Sequence, residues 1–151
     1  DDRTCPSGCV NIFFDEDNGT GIPRALRLLR IPTARIYFPS NEPGALIAKG
    51  AKDVERIPRV GREGWLVFSQ NRAMLDNERE LELLVQHRVG IVFLTNGNQR
   101  AHLVMRLLLN RWPWLESVDA GVNRPFAYLL TLYGRVTPVD LTDRLGGLRG
   151  G

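Results

Sequence analysis

The chain is short of cysteine, histidine and long apolar runs, and each shortage excludes a class of protein. Two cysteines and two histidines occur in 151 residues. Cys5 and Cys9 form a single pair without a nearby histidine, which excludes a zinc site built on them. They are free thiols in a loose N-terminal tail or a local disulfide, and we favour the tail. No apolar run reaches transmembrane length and the polar start does not match a secretory signal, so we expect a cytoplasmic protein with no membrane partner.

Lysine is also scarce, because Lys49 and Lys52 are the only two. Lysine and arginine together number 20, against 17 aspartates and glutamates, which gives a formal net charge of +3. The basic side chains are therefore mainly arginines, which are better suited than lysines to forked contacts with phosphate. A charge of +3 is nevertheless weak support for nucleic-acid binding.

Length and pattern predict one α/β domain with a mainly parallel sheet. Apolar, strand-like runs alternate with amphipathic helical segments in a chain long enough for one core. The predicted strands of the sheet are Val10–Phe14, Ala34–Phe38, Trp65–Phe68 and Gly90–Leu94. A helix over 99–111 should stop at Pro113, and residues 126–132 and 135–141 should form a terminal hairpin. We place an N-terminal tail at 1–9, the domain at 10–142 and a flexible tail at 143–151.

Three of the predicted strands are followed at once by polar clusters. These clusters are Asp15-Glu16-Asp17, Ser69-Gln70-Asn71 and Thr95-Asn96-Gly97-Asn98. Parallel strands bring all three to one edge of the sheet, where open α/β sheets bind ligands. Asp53 and Glu55, in the crossover before the third strand, can face the same edge. Carboxylate and amide oxygens suit Mg²⁺ or Mn²⁺, and the alternative is a solvated acidic turn that caps the next helix.

Two predicted helices carry rows of charge. Arginines recur every three residues on the first, where they either follow phosphates or form a solvated face; they are Arg24, Arg27 and Arg30. A later helix begins at residue 76 or 77, and its glutamates should face solvent; they are Glu78, Glu80 and Glu82.

A series of short motifs runs through residues 10–142. They are Phe13-Phe14-Asp15 with Ile22-Pro23, Asp53-Val54-Glu55-Arg56-Ile57-Pro58, Gly61-Arg62-Glu63-Gly64-Trp65, Leu94 to Asn98, and Pro125-Phe126-Ala127-Tyr128. In this order they resemble a PIN-like domain, of the branch close to VapC-type toxins of toxin–antitoxin systems. The resemblance implies a three-layer α/β/α sandwich with a mainly parallel central sheet and a C-terminal hairpin.

The resemblance also implies an activity, because such toxins bind Mg²⁺ or Mn²⁺ through acids at these strand ends and cleave RNA. By position, Asp15 matches the first acid of the family and Asp53 matches the second. Glu55 is either a further metal ligand or a solvated residue of its helix. The arginines that would steer the RNA backbone are Arg24, Arg27 and Arg72.

The chain departs from the family at the third acid. The family has Thr-x-Asp where this chain has Ser69-Gln70-Asn71, and Asn71 can hold a metal-bound water but contributes no charge. Asp17, beside Asp15, is a candidate metal ligand that would restore the charge. We therefore expect a metal-dependent ribonuclease toxin, with RNA as substrate and an antitoxin or a second copy of the chain as partner.

The alternative is a degenerate PIN-like module that binds RNA or a protein partner without cleavage, and Asn71 favours it. A third reading, a nucleotide-binding α/β domain, is weaker because the chain has no Gly-rich phosphate loop.

Overall fold

The computed structural model describes residues 9–97 and 99–150, which form a six-stranded sheet with helices on both faces. The strands are β1 (Val10–Phe14), β2 (Ala34–Tyr37), β3 (Leu66–Ser69), β4 (Gly90–Leu94), β5 (Phe126–Leu130) and β6 (Val136–Val139). The helices are α1 (Gly21–Leu29), α2 (Asp53–Glu63), α3 (Glu78–Gln86), α4 (Ala101–Asn110), α5 (Trp112–Gly121) and α6 (Leu141–Gly150). Within these described ranges, none of the helices has the length and apolar character that a membrane span requires.

The strand order is β2-β1-β3-β4-β5-β6. The first five strands in this order run parallel to one another, and β6 returns antiparallel to β5. Strand β1 lies between two neighbours, with Ile12 opposite Ile36 of β2 and Leu66 of β3. The predicted parallel sheet, the hairpin and the three-layer α/β/α fold are therefore confirmed.

Strand β1 is almost wholly apolar because both faces of the sheet are covered. Ile12 and Phe14 pack in one core cluster with α1, α4 and α5. Phe13, between them, packs in a second cluster with α2, α3 and α6. Alternating residues of one strand thus belong to two separate cores, which is why a mainly apolar run predicted a central strand correctly.

The helix predicted before Pro113 is confirmed, but it is followed by a second helix that was not predicted. Helix α4 ends at Asn110, and α5 begins directly afterwards with Pro113 in its first turn. Proline is favourable there, because the N–H groups of a first helical turn have no partner within the helix. Trp112 and Leu115 are buried and fasten α5 to the sheet.

Residues 143–150 are helical, whereas the sequence analysis expected a flexible tail from residue 143. Asp140 caps α6, since its Oδ1 accepts from the Asp143 N–H at 3.0 Å. Leu141 and Leu145, four residues apart, are buried against the core that contains α3. Arg144 adds an ion pair to Asp76 at 2.7 Å. The glycines of this segment concealed the helical spacing of its two leucines.

The predicted N-terminal tail lies mostly outside the described residues, as does Cys5. Cys9 is described and is disulfide-bonded, so the expectation of a free thiol is wrong for this residue.

Candidate active site

Asp15 stands where the chain leaves β1, at the edge formed by the carboxyl ends of the parallel strands. Its N–H donates to the Phe68 carbonyl of β3 at 3.0 Å, which extends the β1–β3 ladder by one residue. Asp15 is only 4% exposed. Burial raises its pKa above the ordinary value, and the negative charge of Asp53 adds a smaller increase, whereas Arg56 lowers it.

Ser69, fully buried at the end of β3, connects Asp15 with Asp17. Its hydroxyl oxygen lies 3.3 Å from Oδ2 of Asp15 and 3.3 Å from Oδ2 of Asp17, so one proton serves two carboxyl groups. The Gln70 N–H donates to Asp17 Oδ1 at 3.2 Å. Asp17 is exposed overall, but protein atoms surround part of its carboxyl group. This partial burial raises the pKa of Asp17. The negative charge of Asp15 raises it further.

Asn18 holds the acidic turn against β3. Its Nδ2 lies 2.9 Å from the Asp15 carbonyl and 2.9 Å from the Phe68 carbonyl. Its Oδ1 accepts from Gln70 Nε2 at 2.9 Å. One amide side chain thus joins the ends of two neighbouring strands, and this fixes the distance between the carboxyl groups of the turn and Ser69.

Arg56 carries a positive charge from α2 to the sheet edge. One terminal nitrogen of its guanidinium lies 3.2 Å from Oδ1 of Asp15, and the other pairs with Oδ1 of Asp53, three residues earlier on the helix. The Arg56 side chain is only 15% exposed. The guanidinium therefore links a helix N-terminus to the end of β1.

Glu80, on α3, adds a fourth carboxyl group, which is half-buried and hydrogen-bonded to Asp53. Two carboxyl groups form such a bond only when one of them is protonated. The pKa of Glu80 is raised to about 7, first by burial and then by the bond to Asp53 and its negative charge. We call these four residues the acidic cluster: Asp15, Asp17, Asp53 and Glu80.

A comparison with protein families identifies the domain. The family model of the PIN-like domain matches residues 10–96, more than half of the chain, and this range contains β1 to β4 and the whole acidic cluster. The chain belongs to the PIN-like domain family. PIN-like domains are generally nucleases. No curated protein and no solved structure matches the chain significantly.

Three of the four predicted metal ligands lie together in the PIN-like site, namely Asp15, Asp17 and Asp53. Glu55 does not join them. It lies two residues after Asp53 on α2 and is exposed, and its side chain takes part in none of the hydrogen bonds or ion pairs of the described residues. Its role as a metal ligand stays a prediction that its position does not favour.

Asn71, at the third acidic position of the family, is exposed and lies at the start of a 3-10 turn, Arg72–Asp76. Its N–H donates to Ser69 Oγ at 3.0 Å. After β4, Thr95 Oγ1 donates to Asn96 Oδ1 at 2.7 Å. In the part of the chain that the structure describes, no hydrogen bond joins that polar turn to the acidic cluster, and Asn98 lies outside the described residues.

The three arginines predicted to bind RNA differ in their surroundings. Arg27 donates from Nε and a terminal nitrogen to the Ile36 carbonyl at 3.0 and 2.6 Å, and its guanidinium lies 4.5 Å from the centre of the Phe38 ring. Burial lowers its pKa. Arg24 pairs with Glu42 at 3.2 Å, and Arg72 is exposed directly after Asn71. Arg27 thus anchors α1 to β2, while Arg72 is the best placed of the three for a ligand at the sheet edge.

Sequence reasoning missed Arg56 and the position of Glu80. Glu80 was expected to face solvent, which is wrong, because it contacts Asp53. Its backbone N–H donates to Asn77 Oδ1 at 3.0 Å, so the Asn77-x-x-Glu80 pattern marks a helix start but does not show which way the glutamate turns. The Asp53–Arg56 spacing of three was a usable signal, because opposite charges at that spacing lie on one face of a helix.

The donor chemistry of the PIN-like site fits a hard divalent cation. Its donors are carboxyl oxygens, and Arg56 supplies one positive charge beside four carboxyl groups. Burial raises the pKa values of Asp15 and Asp17, and the negative charge of a neighbouring aspartate raises each further. Across residues 9–97 and 99–150, however, no three His, Cys, Asp or Glu side chains are arranged as a metal site. Two of the carboxyl groups, those of Asp15 and Asp53, pair with the Arg56 guanidinium instead.

Proposed function

We propose that this PIN-like domain is an endoribonuclease that depends on Mg²⁺ or Mn²⁺. The observation that carries the proposal is the acidic cluster at the carboxyl edge of the sheet, in which Arg56 pairs with Asp15 and Asp53, Ser69 connects Asp15 with Asp17, and Glu80 lies beside Asp53. Asp15 and Asp53 would hold the cation, and Asp17 would support them. A divalent cation in such a site supplies an activated water and neutralises charge on the phosphoryl group.

The residues around the cluster would position these groups. Ser69 and the Gln70 N–H keep the two carboxyl groups of the turn in fixed orientations. Asn71 and Arg72 are exposed beside them, where an amide and a guanidinium can contact the backbone of a bound strand. RNA is the substrate class that the sequence resemblance implies.

The test is cleavage of a labelled single-stranded RNA with Mn²⁺ or with a chelator. Wild type should cleave only with the metal ion, and Asp15→Asn should lose at least about 100-fold in rate, because a group that holds the catalytic ion is removed. Asp76→Asn is the matched control. Asp76 is exposed and pairs with Arg144, away from the cluster, so this variant should cleave normally. Cleavage that persists in the chelator or in Asp15→Asn would contradict the proposal.

The finer assignment, a toxin of the VapC type, rests on the sequence resemblance alone. It predicts that expression of wild type arrests the growth of a bacterial host and that Asp15→Asn does not. An antitoxin would be recovered as a tight binding partner from the natural host. Equal growth with both proteins would contradict the toxin assignment and leave the nuclease proposal to the cleavage assay.

A second candidate is a PIN-like module that binds RNA without cleaving it. Asn71 favours this function, because the third acidic position carries no charge and its side chain is exposed. This candidate predicts retarded migration of RNA in a gel with no cleavage at any Mn²⁺ concentration. Asn71→Asp should then create cleavage.

A further inference from the structure

Arg56 occupies the position in which a divalent cation would be expected. It contacts Oδ1 of Asp15 at 3.2 Å and also Oδ1 of Asp53, the two acids that the proposed function assigns to the metal ion. A hard divalent cation binds carboxylate oxygens at roughly 2.0–2.6 Å. Arg56 already holds Oδ1 of both acids, and Oδ2 of Asp15 accepts from Ser69 at 3.3 Å, so the guanidinium and the ion compete for the negative charge of the same two carboxylates.

The core side of the Asp15–Arg56 pair has no room for a hydrated ion. Apolar side chains such as Ile57, Val60 and Met74 line, with Asp15 and Arg56, a cavity of about 10 Å³. That volume is at the lower limit for one water molecule, whereas Mg²⁺ usually retains several waters in protein sites. An ion would therefore have to compete with the Arg56 guanidinium, which already pairs with both Asp15 and Asp53.

We propose that Arg56 is a resident cation of this site, which competes with the divalent ion and sets its affinity. This inference rests on the proposed function. In the metal-free protein the guanidinium partly offsets the negative charges of Asp15 and Asp53 and stabilises the fold. A divalent ion binds only after it has displaced the guanidinium, so Arg56 weakens metal binding. Among residues 9–97 and 99–150, where no three His, Cys, Asp or Glu side chains are arranged as a metal site, this arrangement is the one observed.

The test compares Mn²⁺ binding by calorimetry in wild type, Arg56→Gln and Arg59→Gln. Arg56→Gln should bind Mn²⁺ about tenfold more tightly or better, because a positive charge beside the site is removed. Its metal-free form should melt at a lower temperature than wild type, and added Mn²⁺ should raise that temperature more. Arg59 is the matched control, because it lies one turn later on α2 and pairs with Glu63 at 3.2 Å. Arg59→Gln should bind Mn²⁺ as wild type does.

If Arg56→Gln does not fold, Arg56→Lys provides the same test, because one ammonium group cannot pair with both aspartates as the fork does. A gain of about threefold in Mn²⁺ affinity is then expected. Tight binding by the Arg56 variant with no binding by wild type would support the inference and contradict metal-dependent cleavage by the natural chain. Binding by wild type with equal or weaker binding by the variant would overturn the inference and leave the proposed function in place. If neither protein binds Mn²⁺, both fall.

Discussion

Ser69→Ala should destabilise the protein in a pH-dependent way, because Ser69 provides the proton that Asp15 and Asp17 share. A hydrogen bond to a charged group contributes about 1.5–3 kcal/mol to the free energy of unfolding. Both contacts are long, at 3.3 Å, and one proton serves two acceptors, so the lower end applies and we expect a loss of about 1.5 kcal/mol at pH 7. For a domain of this size the melting temperature should fall by roughly 3–6 °C.

The loss should be smaller at pH 4. The pKa of Asp15 and that of Asp17 are raised in the folded protein, chiefly by burial, so a larger fraction of each group is protonated at pH 4 than at pH 7 and accepts a weaker hydrogen bond there. Without the hydroxyl both pKa values rise further, and ionisation of the folded protein costs more as pH increases. The difference between variant and wild type must therefore grow from pH 4 to pH 7.

Urea unfolding followed by tryptophan fluorescence measures this difference at both pH values. Ser117→Ala is the control, because the hydroxyl of Ser117 is exposed and donates to the neutral Trp114 carbonyl at 2.7 Å. It should change the unfolding free energy by less than about 0.5 kcal/mol. The reasoning is refuted if Ser69→Ala unfolds at the wild-type urea concentration at pH 7, or if its loss is greater at pH 4.

Two further predictions concern α3 and the helix packed beside it. Glu80→Gln should make the protein more stable than wild type at pH 8, by at most about 1 kcal/mol because the group is partly exposed. The folded pKa of about 7 lies above the ordinary 4.5, so wild type loses stability as pH rises through that window, whereas glutamine mimics the protonated form. Melting curves at pH 4 and pH 8 test this, and a less stable variant at pH 8 would refute it. Gly61→Ala should lower the free energy of unfolding by about 1–3 kcal/mol, because the added Cβ would clash with the His87 carbonyl oxygen. Gly121→Ala is the control and should leave the free energy of unfolding unchanged, because there is open space around Gly121. Equal melting temperatures for the two variants would show that α2 is not held this closely.

The sheet could be predicted from the sequence because its determinants are local. Strands such as Val10–Phe14 and Gly90–Leu94 are short apolar runs followed by polar turns, and burial of both sheet faces makes such runs necessary. The helices after Asn110 were harder to predict. Proline disrupts the interior of a helix but is favourable in its first turn, so Pro113 alone does not predict α5. Helix α6 depends on the burial of two leucines against the core, and this burial requires the complete fold.

The site was predictable only as far as strand ends determine it. Asp15 and Asp17 follow β1, and parallel pairing places them beside Ser69 regardless of the helices. Arg56 and Glu80 come from helices, and their direction depends on how α2 and α3 pack against the sheet. A three-residue spacing shows which residues share a helical face, but it does not show which face is turned towards the site.

The most direct test of the central claim, that this edge binds a divalent cation through Asp15, is a calorimetric titration of wild type and Asp15→Asn with Mn²⁺. The account predicts one Mn²⁺ site in wild type and no measurable binding in the variant, with both proteins folded as judged by circular dichroism. Equal binding by the two proteins would place the cation elsewhere. No binding by wild type would contradict the metal-dependent nuclease and leave the RNA-binding module as the function to test.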